Sequence, residues 1–140
     1  MCSQYAFEQT GCSFDFALVD NGRSLFTVKD AHGIKLVRSG RFRLNSEGFL
    51  VTPNGAHLLG HNGPIKATGS RFEVDDSGVV SIDGKQVDRI LISIFEQAPK
   101  ITIREGTVVY SGSTTVRVSA DCLVKQGFLE KSASIKYFKL

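Results

Sequence analysis

The sequence predicts an all-β fold, a single compact domain of short antiparallel strands and hairpins, and three observations lead there. Fourteen glycines stand against three prolines in 140 residues, amid many Val, Ile, Thr and Phe, a mix typical of short strands joined by tight turns. Apolar and polar residues alternate with period two through much of the chain. Glycine-ending pairs such as Glu47-Gly48, Asn54-Gly55, Ser77-Gly78 and Asp83-Gly84 fall between those runs, where a hairpin turns.

From the N-terminus, "SFDFALVD" sets Phe14, Phe16 and Leu18 on one face, the period of a half-buried strand. "SLFTVKD" follows Asn21-Gly22 and "IKLVRSG" follows His32-Gly33, which predicts two consecutive hairpins. In "GRFRLNSEGFLVT" the period places Phe42 and Leu44 on one side and Arg41 and Arg43 on the other. Glu47-Gly48 then turns the chain into "FLVT", and Asn54-Gly55 turns it into "AHLLG". The scheme repeats with Phe72 and Val74, a turn at Ser77-Gly78, a strand from Val79 to Ile82 and a turn at Asp83-Gly84. Ile90, Ile92 and Ile94 alternate next, and "TVVYSG" and "VRVSADCLVKQGFLE" continue the β pattern.

Composition narrows the function classes. A 140-residue chain that is 41% apolar can bury a core without metal or disulfide staples. Its net charge of +3 is small for a polyanion-binding domain. No run of about eighteen apolar residues exists to cross a membrane as a helix. The first residues, "MCSQYAFEQTGCSFDF", have neither a basic nor an apolar region of the secretory kind.

The 37–60 stretch, "VRSGRFRLNSEGFLVTPNGAHLLG", carries the most specific pattern. With "FDFALVDNGRSLFTV" and "SGVVSIDGKQVDRILISIF", it resembles the D1 β-domain of bacterial flagellar rod and hook proteins, nearest to the proximal- and distal-rod proteins. That family's pattern is T-R-x-G-x-F-x-L-x-x-x-G-x-L-V-T-x-x-G-x-x-L-L-G. Arg38, Gly40, Phe42, Leu44, Gly48, Leu50, Val51, Thr52, Gly55, Leu59 and Gly60 fill it in register. "GPI" at 63–65 and "GFLE-x-S" at 127–132, with Gly127 and Phe128, also match. The resemblance covers 15–132, leaving short ends at 1–14 and 133–140 outside it. Gly40, Gly48 and Gly55 are expected where the backbone needs positive φ or close approach. Phe42, Leu44, Leu50 and Leu58 or Leu59 are expected to hold the hairpins to the core.

The departures from the pattern are specific too. Family members carry long helices before and after the β-domain, and neither is evident here. The G-x-G-F-F turn is altered: "DNGRSLF" has two extra residues, and Leu25 replaces one phenylalanine. The chain is therefore either a trimmed rod protein or a natural paralogue lacking the polymerising helices, and its apolar, basic ending, "ASIKYFKL", points towards the paralogue.

Other residue groups compete with that architectural reading. His57 and His61 have an H-x-x-x-H spacing, but in a strand–turn context residues four apart do not converge on zinc as they do on a helix. Asp75, Asp76 and Asp83 lack calcium-loop spacing and are expected to form turns beside Gly78 and Gly84. Cys2, Cys12 and Cys122 are odd in number, so free thiols are expected in preference to a Cys12–Cys122 bridge. No nucleophile–base set, phosphate loop or paired-carboxylate motif accompanies them, so no catalytic residue, cofactor or metal is assigned. Lys35, Arg38, Arg41 and Arg43, interleaved with Phe42 and Phe49, could form a nucleic-acid face. The period instead directs Phe42 to the core. The resemblance places Arg38 where it would bond carboxylates or carbonyls.

The sequence therefore predicts a non-enzymatic structural component of the flagellar basal body that acts by packing against other rod or hook axial proteins. The resemblance implies a periplasmic axial location after type III-like export. The alternative is an accessory or regulatory protein, cytoplasmic in location, that engages axial subunits without polymerising. A small β-barrel nucleic-acid binder is the weaker alternative. The expected state in isolation is a monomer or weak dimer, with no nucleic acid bound and no membrane insertion.

Overall fold

Short alternating runs and glycine turns give short strands, and in the computed structural model every regular element among the described residues is a strand. Those residues are 7–20, 24–95, 100–104, 107–111, 116–118, 122–131 and 137–139. In chain order the strands begin with β1 (Phe7–Gln9), β2 (Phe16–Val19), β3 (Ser24–Asp30), β4 (Gly33–Val37), β5 (Arg43–Leu44) and β6 (Leu50–Val51). Next come β7 (His57–Gly60), β8 (Gly63–Pro64), β9 (Phe72–Val74), β10 (Val79–Ile82), β11 (Lys85–Arg89) and β12 (Ile92–Phe95). The last are β13 (Lys100–Arg104), β14 (Thr107–Ser111), β15 (Val116–Val118), β16 (Leu123–Gln126), β17 (Phe128–Glu130) and β18 (Tyr137–Lys139).

The main sheet runs β15-β12-β3-β7-β6-β5, with β4 on the other side of β3 and β18 beyond β4. All pairings are antiparallel. Against it lie the three-stranded meander β9-β10-β11 and the β2–β16 ribbon, while β1 pairs with β17 and β13 with β14. The core fills the space between these layers. Phe26, Val28, Leu50, Leu58 and Ile92 come from the main sheet, Val74 and Val80 from the meander, and Phe16, Leu18 and Val124 from the ribbon. Phe42 joins them, its ring 5.5 Å from Phe26 edge-to-face and 6.2 Å from Phe16. Such aromatic packing adds to the area term.

Three of the predicted turns have one form. Asn45, Thr52 and Asp75 each accept a backbone bond from the glycine three residues on, at 3.1, 2.9 and 2.9 Å. Each also uses its side-chain oxygen to hold the N–H four residues on, that of Phe49, Ala56 or Val79, at 3.0 Å. Gly48, Gly55 and Gly78 close these turns at φ 86°, 94° and 84°, where a side chain would be strained. The β10–β11 turn is the two-residue kind, with Asp83 at φ 52° and Gly84 at 86°. Gly40 answers a different need. A Cβ there would sit 1.7 Å from the Phe16 carbonyl oxygen, because Phe16 N–H donates to the Gly40 carbonyl at 2.9 Å.

The structure corrects three expectations. β2 and β3 do not form a hairpin: β2 pairs with β16, from Phe16↔Gln126 to Leu123↔Val19, and Asn21-Gly22 lies outside the described residues. Nor is β2 half-buried, since Phe16, Ala17 and Leu18 are all buried between layers. Leu44 is the third case. It pairs with the fully buried Leu50, but β5 is the sheet edge, and there the side chain is 38% exposed.

Candidate functional site

The chemistry of the described residues concentrates at Arg38, which follows β4 in the chain. Its side chain is almost wholly buried, which an arginine tolerates when its fork of donors is paired. Nε donates to Glu130 Oε1 at 2.8 Å, Nη1 to the Ser24 carbonyl at 2.6 Å, and Nη2 to the Leu18 carbonyl at 3.0 Å. Nη2 also meets Asp20 at 3.1 Å. Asp20 in turn accepts the Ser24 N–H at 2.9 Å. Burial works against the charge, but the bond to Glu130 and the fields of Asp20 and Glu130 outweigh it, so the Arg38 pKa is raised. No buried side-chain polar atom among the described residues lacks a partner.

This guanidinium ties the end of β2 to the start of β3, where the sequence predicts a hairpin, and joins both to β17. It is a brace between layers. The β1–β17 ribbon meets the rest of the fold here and at Gly127, whose carbonyl accepts from Thr10 and Gly11 while its N–H donates to Asp15 at 2.7 Å. Phe128 is half-buried beside that bend. An open cleft of about 250 Å³ lies next to the brace, lined by Glu8, Gly40, Arg41, Glu130 and Lys131, and so carries charges of both signs.

The other motif residues divide between core and turns. Leu50, Val51 and Leu59 are buried, as are Thr52 and Gly60. A Cβ on Gly60 would meet the Asp88 carboxylate at 2.5 Å. Gly48 and Gly55 are the turn closers described above.

The structure separates the four basic residues of the opening stretch. Arg38 is buried and Lys35 pairs with Asp30, while Arg41 and Arg43 are exposed. His57 packs edge-to-face on Phe49 at 5.4 Å, and His61 occupies an exposed turn. Asp75 caps its own turn, Asp83 accepts the N–H groups of Ser70 and Arg71, and Asp76 pairs with Lys125. Cys12 is exposed and Cys122 half-buried, both as free thiols. Burial, with the nearby Asp20 charge, pushes the Cys122 thiol up to about 11, so it is a poor nucleophile. Cys2 lies outside the described residues. Sequence reasoning sets Asp20 among the carboxylates available to these arginines without assigning it to Arg38, and it misses Glu130. The signal for Glu130 is that an arginine in an otherwise apolar, buried stretch needs carboxylates from elsewhere in the chain.

The feature that the described residues build most completely is a brace between strands, the buried Arg38 held by Glu130 and Asp20. Comparison with known proteins sharpens this. The model of the flagellar hook protein FlgE/F/G D1 domain matches residues 21–124, and the chain belongs to that family. It is 31% identical over 138 residues to the flagellar basal-body rod protein FlgF of Rhizobium meliloti, covering 91% of this chain and 54% of that protein. FlgF of Caulobacter vibrioides is 30% identical over 135 residues, covering 93% and 54%. The flagellar basal-body rod protein FlgG of Bacillus subtilis is 28% identical over 148 residues, again covering 93% and 54%. The chain thus spans about half the length of the curated relatives it matches.

Proposed function

We propose that this chain is a structural β-domain of the bacterial flagellar basal body, and that it works by packing against rod or hook axial proteins rather than by catalysis. The observation that carries the reading is the 38–60 motif. It lies within the region matched by the family model, and its residues build internal architecture, with Arg38 bracing layers, Phe42 and Leu50 in the core, and Gly48 and Gly55 closing turns. Rigidity suits a subunit whose neighbours recognise its shape, because contacts between pre-organised surfaces lose little to ordering. In this reading the protein resides in the periplasmic axial structure and reaches it by type III-like export. Alone in dilute solution it is a monomer or weak dimer, and it does not bind nucleic acid.

Purified hook–basal bodies from cells expressing an epitope-tagged chain test the proposal. The tagged protein is expected in the particles and in a pull-down of rod proteins. A tagged protein found only in the cytoplasmic fraction, bound to axial subunits before export, would replace this reading with the accessory-protein alternative.

A further inference from the structure

The cations of the main sheet are not randomly placed. Lys29 pairs with His57, His57 with Val51, and Val51 with Arg43, so Lys29, His57 and Arg43 stand in one row across β3, β7, β6 and β5, with the buried Val51 between His57 and Arg43. Side chains directly opposite one another in a sheet share a face. Phe49 lies on the same face, since its ring contacts His57, and Lys66 Nζ stands 5.5 Å from that ring. Lys29, Arg43 and Lys66 are all exposed. Each is without an ion-pair partner among the described residues, whereas Lys35, Arg38, Arg71 and Lys125 are all paired. A cationic face surrounds a half-buried aromatic ring, on the side of the sheet away from the core.

The complementary charge lies across the molecule. Between Arg71 and Arg89 the chain holds five carboxylates against three cations, while 24–68 holds six cations against two carboxylates. Glu73, Asp75 and Asp76 are exposed around the β9–β10 turn. Arg71 and Lys125 neutralise two of them in part, through exposed pairs that contribute little. The meander packs on the core side of the main sheet, through Val74 and Val80. The two patches therefore sit on opposite sides of one core and cannot satisfy each other within one chain. Two copies can do so head to tail, and such a heterologous contact repeats.

We propose that the Lys29–His57–Arg43–Lys66 face docks the acidic β9–β10 end of a second copy of this chain. The proposal rests on the axial-packing reading above and names the contact. In isolation the contact is weak and electrostatic, and so sensitive to salt, because screening at about 0.3 M shortens the range of these charges to several ångströms. A nucleic acid is the competing occupant of a cationic face bearing an aromatic ring.

The test uses the full chain in sedimentation equilibrium at low and at about 0.3 M salt, together with two charge-reversed variants. One carries Arg43→Glu and Lys66→Glu. The other carries Glu73→Lys and Asp76→Lys and leaves Asp75, which caps its turn, in place. All four positions are exposed, so the melting temperatures should match that of the parent. At millimolar concentration, far above the dilute regime in which it is a monomer or weak dimer, the parent is expected to self-associate at low salt beyond a dimer and to be monomeric at high salt. Each variant alone is expected to associate at least about tenfold more weakly. An equimolar mixture of the two variants is expected to recover association, at least to a heterodimer, because the unaltered acidic end of the first meets the unaltered cationic face of the second and the two reversed patches are again opposite in charge. An unchanged association in either variant, a parent that stays monomeric at millimolar concentration and low salt, or a mixture without heterodimer would overturn the proposal. So would oligonucleotide binding at physiological salt that is lost in the Arg43→Glu, Lys66→Glu variant. Incorporation of that variant into basal bodies at the parent level would reject this contact and leave the axial-packing function standing.

Discussion

Arg38 and Arg43 belong to one motif, five residues apart, and the fold uses them in opposite ways. Arg38 is buried and fully engaged with Glu130, Asp20 and two carbonyls, whereas Arg43 is exposed on the edge strand with no carboxylate partner among the described residues. The apolar pair Leu50 and Leu44 repeats the contrast: cross-strand partners, one fully buried and the other 38% exposed. The difference teaches that the motif's spacing sets backbone shape, while depth in the sheet decides what each side chain does. The first group holds the domain together. The second faces whatever the domain meets.

Removing Arg38 should produce the largest effect. Arg38→Ala strands Glu130 and Asp20 and leaves two carbonyls unpaired, so a loss of about 3–5 kcal/mol is expected in urea unfolding. Phe42→Ala should cost a similar amount, about 3–5 kcal/mol, by opening a cavity among Phe16, Phe26 and Leu50. The leucine pair sharpens the comparison on neutral ground. Leu50→Ala should cost about 2–5 kcal/mol and Leu44→Ala less than about 1 kcal/mol. Equal losses would mean that β5 is as deeply packed as β6.

The smallest effect concerns acid. The hydrogen bond from Lys35, aided by the His32 N–H and by the Lys35 charge, holds the Asp30 carboxyl below its ordinary value against a modest opposing desolvation. A depressed folded pKa contributes stability that is present above the unfolded value and is lost as pH falls through the folded one. The Lys35→Met variant should therefore converge on the parent as pH falls below the ordinary carboxylate range and be less stable by about 0.2–1 kcal/mol near neutrality. A gap that instead widened on acidification would reverse the sign.

Much of this fold is legible locally. A turn such as Asn45 to Gly48 needs only its own residues, and so the hairpins β5–β6, β6–β7 and β10–β11 follow from glycine spacing. The core position of Phe42 follows from period. The β2–β16 pairing does not, because it joins segments about a hundred residues apart whose own sequences look equally fit for a hairpin. The same distance hides Glu130 from Arg38. The exposure of Leu44 depends on which strand ends the sheet, and the cationic row becomes visible only when register across four strands aligns Lys29, His57, Val51 and Arg43. Alternation assigns a face, but it does not say what lies over that face.

The division between the two groups of cations is tested most directly by urea unfolding of Arg38→Ala beside the double variant Arg43→Ala, Lys66→Ala, in one buffer at about 0.3 M salt, where self-association is screened. The account predicts a loss of about 3–5 kcal/mol for Arg38→Ala and a change within about 0.5 kcal/mol for the double variant. Comparable losses in the two proteins, or an Arg38→Ala protein as stable as its parent, would contradict it.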